Sequence, residues 1–368
     1  MQTNILIVGG GLSGLALADH LTRAGTDFLL VEAQDNLGGR ILTKVLSGGK
    51  FDLGPAWFWP GQPRMAALAR RFDIPVFPQH STGDQMYQDQ SGAVQRARGY
   101  ASMQGSYRLA GGMGALIDAL AGSMQAGHIL TQARLETIRH SPGKITALLD
   151  HGGASYTVEA RQIMLAIPPR VIEETVNFEP ALDAAQSQSL MNIPTWMAGQ
   201  AKILAVYDEP HWRNDGLSGD ATSHRGPMVE IHDASPIEGG PYALFGFVGY
   251  PADVRVAQKD DMMEQALAQL TAIFGPKMAQ PRDLILQDWA TIPEIARTQD
   301  RTPVGYHPNY GLPSNLNSLA ARGVQFCSTE TARRFGGYLE GALEAAERAA
   351  STTAVLSMVT EAYPPTGT

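Results

Sequence analysis

The stretch Ile5-Leu6-Ile7-Val8-Gly9-Gly10-Gly11-Leu12-Ser13-Gly14 decides the fold. Its first four residues are a short apolar run with β-branched members, the composition of a strand buried in a parallel sheet. Glycines at 9, 11 and 14 follow at once. The first permits a tight turn and the second lets backbone N–H groups approach a pyrophosphate. The third lets helix and strand pack with no Cβ between them. From Leu15 to Ala24 apolar residues recur at helical spacing, and Gly25 stops the helix. Phe28-Leu29-Leu30-Val31 is the second strand and ends on Glu32, about where a carboxylate meets a ribose 2′-hydroxyl. The order predicts a right-handed βαβ unit that binds a dinucleotide, with the helix N-terminus facing the phosphates.

The rest of the chain sets bounds on what surrounds this unit. Its 368 residues are enough for about two domains. A charged share of 17% and a hydrophobic share of 44% describe a globular chain. The net charge of −8 opposes a phosphate backbone, so nucleic acid is not expected as a partner. Cys327 is the single cysteine, which excludes an intrachain disulfide and a Cys-based metal site. The nine histidines fall in no metal-ligand spacing, and no metal is expected. The N-terminus lacks the pattern of a signal peptide and no run is long enough to span a membrane, so a cytoplasmic protein is expected.

Other motif readings fail. In Gly11-Leu12-Ser13-Gly14-Leu15, leucine stands where a nucleophile elbow needs its second glycine. Gly49-Lys50-Phe51 lacks the hydroxyl residue of a P-loop. Leu37-Gly38-Gly39-Arg40 instead suits a backbone that wraps a diphosphate while arginine adds charge-assisted contacts. With the first fingerprint, it points to FAD.

Further strands are expected at Ala147–Asp150, Ser155–Glu159, Ile163–Ile167, Ala201–Tyr207, Met228–Ile231, Ala243–Val248 and Val324–Cys327. Helices are expected at Met65–Phe72, Gly114–Leu120, 261–274 and Gly337–Ala350, and the final dozen residues should fray. Residues 60–105 otherwise read as Pro-, Gln- and Gly-rich loop. Lys202 lies in the apolar run Ala201-Lys-Ile-Leu-Ala-Val206, where an unpartnered charge is costly.

Taken with these features, the chain resembles the flavin-containing amine oxidases, near the monoamine oxidase branch. The matching segments are Gly9–Gly14 with Glu32, Gly38-Gly39-Arg40 and Phe51–Trp57. They continue with Gly111-Gly112, Ala166–Pro169, Gln200–Lys202 leading to Glu209–Trp212, and Phe326–Gly341. The resemblance implies an α/β fold: a Rossmann-like FAD-binding domain joined to a substrate domain of mixed sheet and helices. It assigns 1–70, 106–182 and 295–355 to the first, and 71–105 and 183–294 to the second.

The resemblance also implies residue roles. Gly9, Gly11, Ser13, Gly14, Glu32, Ala33, Gly39 and Arg40 would hold the ADP half of FAD, with the Leu135 backbone at the adenine. Gly54, Pro55, Ala56, Trp57 and Trp289 would line the isoalloxazine, and Thr329, Glu330, Tyr338 and Leu339 would lie toward the ribityl-flavin end. Lys202 would assist reaction with oxygen, and Tyr338 would be one wall of an aromatic cage that guides the amine. Trp57, Gln299 and Phe335 would also meet substrate. Gln299 stands where the second, tyrosine wall is expected, Thr298 where a flavin-linked cysteine would stand, and Ser328 in place of a glycine. Non-covalent FAD is therefore expected.

The implied reaction takes a neutral amine to an imine, with O2 reoxidising the flavin to give H2O2. Two alternatives stay open: a desaturase or NAD(P)H-consuming flavoenzyme on a non-amine, and a flavin-bound partner subunit without catalysis. The short segment between Pro60 and Gly105 implies a reduced roof, covered by a second subunit, a bulky substrate or the loops themselves.

Overall fold

The computed structural model describes residues 1–99, 102–141 and 144–362, with side chains as far as residue 353. The chain divides into two compact units: Met1–Arg40, Ile117–Thr195 and Tyr306–Thr368 form one, and Ile41–Leu116 with Trp196–Gly305 the other. Residues 41–70, 106–116 and 295–305, which the resemblance gave to the FAD-binding domain, group with the second unit, and 183–195, which it gave to the substrate domain, group with the first.

The first unit is built on a sheet in which Gln2–Val8 runs parallel to Phe28–Val31 on one side and to Ala154–Leu165 on the other. Between the first two comes the helix Leu12–Arg23, which makes the expected βαβ. The strands expected at 155–159 and 163–167 are one strand. Its first part pairs antiparallel with Lys144–His151, and its second part lies between Gln2–Val8 and Val324–Phe326. Ile5, Leu6, Ile7, Val8, Leu29, Ile163 and Leu165 are buried. A sheet covered on both faces explains why its central strands are continuous apolar runs. The C-terminal helix is Leu339–Ala362, so it passes into the dozen residues expected to fray. Residues 363–368 lie outside those described.

The second unit has a sheet in the order Asp283–Asp288, Ala201–Tyr207, Tyr242–Val248, Met228–Asp233, Leu217–Ser223, Asp84–Gln88 and Val94–Ala97. One face packs on the helix Lys259–Phe274 through Ile203, Ala205, Ile231, Leu244, Met262, Ala266 and Leu270. The opposite face gathers Phe51, Leu53, Leu204, Val206 and Phe245, with Trp57 and Phe247 against them. Both faces are covered, so all of Ala201–Tyr207 is buried, Lys202 included. The strands Val76–Pro78, Asp84–Gln88 and Val94–Ala97 lie where loop was expected. Asp84–Gln88 and Val94–Ala97 are at the sheet's edge, largely polar, and held by backbone pairing, so they leave no apolar alternation to read.

Candidate active site

The glycine turn of the first unit has the shape its spacing required. Gly9 is at φ 107°, in the region glycine favours. A Cβ on Gly14 would stand 1.9 Å from the Gly9 carbonyl oxygen, so only glycine lets the helix sit this close to the strand. A Cβ on Gly11 would meet nothing nearer than 3.8 Å. No group of the described residues fills that space, as expected where a ligand's phosphates approach. Gly11 caps the helix Leu12–Arg23, no side chain caps it, and its first turn carries no acid. The helix thus supplies no acid of its own against its positive end.

Glu32 is turned into this end of the unit. Its Oε2 accepts from the Gly10 N–H at 2.6 Å and its Oε1 from the Gln34 N–H at 2.8 Å. Gly38 donates to the Gly10 carbonyl at 2.9 Å, which brings the second glycine pair beside the first. Gly38 and Gly39 have φ of 117° and 58°. Arg40 leaves this turn and pairs with Glu330, Nη1 to Oε1 at 2.6 Å. Two sites read from motifs 290 residues apart thus meet in an ion pair. Glu330 is fully buried, and its Oε2 has no hydrogen-bond partner among the described residues; nor does the buried hydroxyl of Ser328. Such groups are costly to bury unpaired. A polyhydroxylated, phosphate-bearing ligand would satisfy them, so these residues fit FAD.

Several sequence-assigned positions are seen to be structural as well. Ser13 donates to the Cys327 carbonyl, which ties the helix to the strand Val324–Phe326. Leu135 is a core side chain beside a bulge in its strand, leaving only its backbone for a ligand. Ala33 is half-buried at the end of Phe28–Val31. Cys327 is buried, and burial pushes its thiol up to about 12. It is an inert core thiol.

Tyr338 ends the turn before the helix Leu339–Ala362. Its carbonyl accepts from Thr329 Oγ1 at 2.8 Å and from the Ala342 N–H at 3.2 Å. Phe335, at φ 55° and 39% exposed, lies edge-on to the Tyr338 ring at 6.4 Å. The ring stacked on Tyr338 is His307, at 5.0 Å and 23°, with its Nε2–H aimed at the Gly336 carbonyl at 2.9 Å. His307 carries no signal in the sequence, because its proximity to Tyr338 depends on the loop from Tyr306 to Gly311. Gln299 belongs to the second unit and is exposed, as is Thr298.

In the second unit, Lys202 faces the side of the sheet that carries the aromatic residues. Lys202 pairs with Phe247 across the strands, and Phe247 with Glu230, so the three share one face. The Lys202 ammonium donates to the Gly54 carbonyl and lies 4.2 Å from the Phe245 ring centroid and 5.7 Å from that of Trp57. Burial lowers its pKa from 10.5 to about 7; Asp52 opposes the shift and Arg108 adds to it. The amine therefore gives up its proton far more readily than an ordinary lysine does. Gly54, Pro55, Ala56 and Trp57 form the loop above it. Trp57 Nε1–H donates to Gln79 Oε1 at 2.8 Å, and Trp289 Nε1–H donates to the Leu53 carbonyl at 3.1 Å.

The first unit is a dinucleotide-binding flavoprotein unit, and the second a mixed sheet carrying a buried lysine among aromatic rings. The family model of flavin-containing amine oxidoreductases matches residues 12–99 and 87–353. The chain belongs to that family, and its chemistry is the FAD-dependent oxidation of an amine. AofH of Mycobacterium tuberculosis, assigned as a flavin-containing monoamine oxidase, is 26% identical over 96% of this chain and 97% of its own. Putrescine oxidase of Kocuria rosea is 21% identical over 94% and 95%. Among solved structures, putrescine oxidase bound to putrescine superposes with a TM-score of 0.80 at 21% identity, covering 96% of this chain and 99% of that one. No helix among the described residues is long and apolar enough to cross a membrane, and no group of side chains there could hold a metal ion.

Proposed function

We propose that this protein is an oxidase: it converts an amine to an imine with non-covalent FAD, and O2 is the acceptor that closes the cycle. The observation that carries this reading is the buried Lys202 amine, held near neutrality among Trp57, Phe245 and Phe247. A lysine is placed there at a cost in stability, which calls for a chemical role. A desaturase or a catalytically silent subunit gives no such reason.

When bound, FAD supplies the two-electron acceptor for the C–N oxidation. The chain's own residues bind and orient. Gly9, Gly11, Ser13, Gly14, Glu32, Ala33, Gly39, Arg40 and the Leu135 backbone are assigned to the ADP half. Thr329, Glu330, Tyr338 and Leu339, with Gly54, Pro55, Ala56, Trp57 and Trp289, are assigned to the flavin half. Lys202 is assigned to the oxygen reaction, where an amine poised between its charged and neutral forms holds or releases a proton within the working pH range. Tyr338 is assigned to present a π face to the amine, and His307 stacks on the same ring. Phe335, Trp57 and Gln299 are the other assigned substrate contacts.

Anaerobic mixing of the yellow holoprotein with primary amines, secondary amines, diamines, amino acids and NAD(P)H tests the reading. Bleaching by an amine, followed by recovery of the yellow form and H2O2 on admitting air, is the expected result. Bleaching by NAD(P)H alone would replace it with the non-amine alternative.

A further inference from the structure

On the aromatic face of the second unit's sheet, His232 is the centre of a charge network that the oxidation of an amine does not itself require. The ring is 1% exposed. Its Nδ1 is 2.7 Å from Asp220 Oδ1, and its Nε2 is 3.0 Å from Glu230 Oε1. Both partners are carboxylates, and only an imidazolium donates through both nitrogens, so the geometry selects the charged ring. Burial alone would discharge it, but the bonds to Asp220 and Glu230 outweigh that and raise its pKa above 6.5. Ser102 donates to the same Glu230 oxygen at 2.7 Å. The imidazolium thereby straps the strand Leu217–Ser223 to Met228–Asp233.

The same ring lies 5.0 Å from Trp57 at 80°. The far edge of that indole is fixed by Gln79, whose Nε2–H donates to the Asp233 carbonyl at 2.8 Å. Phe245 lies 5.5 Å from the His232 ring. We propose that His232 is a positioning residue that acts through Trp57: strapped between Asp220 and Glu230, it holds the indole in one orientation by an edge-to-face ring contact. The proposal rests on the assignment of Trp57 to the flavin, and makes the indole's alignment depend on the protonation of a ring centred 5.0 Å away. The charged and titratable groups around His232 are Asp220, Glu230 and Asp233, the last paired with Arg213, with Lys202 beyond Phe245 and His80 beside Asp220 and Asp233. Loss of the proton leaves one N–H for two carboxylates. Glu230, whose side chain is 39% exposed against 7% for Asp220, is the one that lets go.

The test uses the holoprotein in four forms on a Lys202→Met background: the parent, Trp57→Phe, His232→Gln and the double variant, with Glu230→Gln in case His232→Gln does not fold. The Trp57 component of the emission is the parent's spectrum minus that of Trp57→Phe, followed as pH rises from 6 to 10. A charged imidazole quenches indole emission more than a neutral one. The expected result is a rise above pH 6.5 that His232→Gln abolishes and Glu230→Gln moves to lower pH. Flavin reduction by substrate should slow about tenfold in His232→Gln through misalignment, with no further loss on adding it to Trp57→Phe. Because Lys202 titrates at about 7 and lies 5.7 Å from the Trp57 ring, every form carries Lys202→Met; in that background a titration that survives His232→Gln, its absence with His232 in place, or additive rate losses would each overturn the proposal. The emission titration requires no amine. If it behaves as expected while no amine bleaches the flavin, the oxidase reading fails and the role of His232 stands; the converse result sinks only His232.

Discussion

Replacing Lys202 by methionine should make the protein more stable at pH 6 and slightly less stable at pH 10. Burial holds the folded-state pKa at about 7, against 10.5 for an ordinary lysine. Between those values the unfolded chain binds a proton that the folded chain does not, so stability rises with pH across that window. Above 10.5 the penalty is absent, and below 7 it is complete. At 1.36 kcal/mol per pH unit the gap amounts to about 5 kcal/mol. Methionine removes the penalty and keeps the length of the side chain. It also strips the Gly54 carbonyl of its donor, at about 1–3 kcal/mol, and forfeits the attraction of the charged form to Phe245, at about 1 kcal/mol. The balance is a stabilisation of about 2 kcal/mol at pH 6 that fades and reverses near pH 10. Urea unfolding followed by circular dichroism, with FAD saturating in both proteins, measures this at each pH. Curves for wild type and variant that run parallel from pH 6 to 10 would show that Lys202 does not titrate there, and the electrostatic reasoning about this side chain would fall.

Flavin reoxidation by O2 in Lys202→Met should slow by about two orders of magnitude while anaerobic reduction stays near wild type; stopped-flow absorbance separates the two half-reactions. Gly14→Ala should abolish FAD retention, because the new Cβ falls 1.9 Å from the Gly9 carbonyl oxygen, and a variant purified with full yellow colour would contradict the packing argument. Glu330→Gln removes the carboxylate that pairs with Arg40 and should weaken FAD binding by about tenfold or more, read by fluorescence titration of the apoprotein. Acid precipitation should leave all flavin in the supernatant, since Cys327 is buried and protonated; a yellow pellet would refute non-covalent binding.

Local chemistry made the dinucleotide unit readable before folding. A glycine that must be at φ 107°, another with no room for a Cβ, and an apolar strand on each side are constraints written within 32 consecutive residues. Lys202 could be singled out for a similar reason: a charge in an apolar run is anomalous whatever the tertiary arrangement. The amino-acid order also determined the buried parallel strands, because a strand covered on both faces has no polar alternation to confuse it. Tertiary structure alone decided what those residues touch. Arg40 meets Glu330 across 290 residues, and His307 stacks on Tyr338. His232 finds two carboxylates only because its strand lies beside Leu217–Ser223. Pairings of this kind depend on strand register and loop path, which arise from the summed packing of the whole unit and have no signature at any one position.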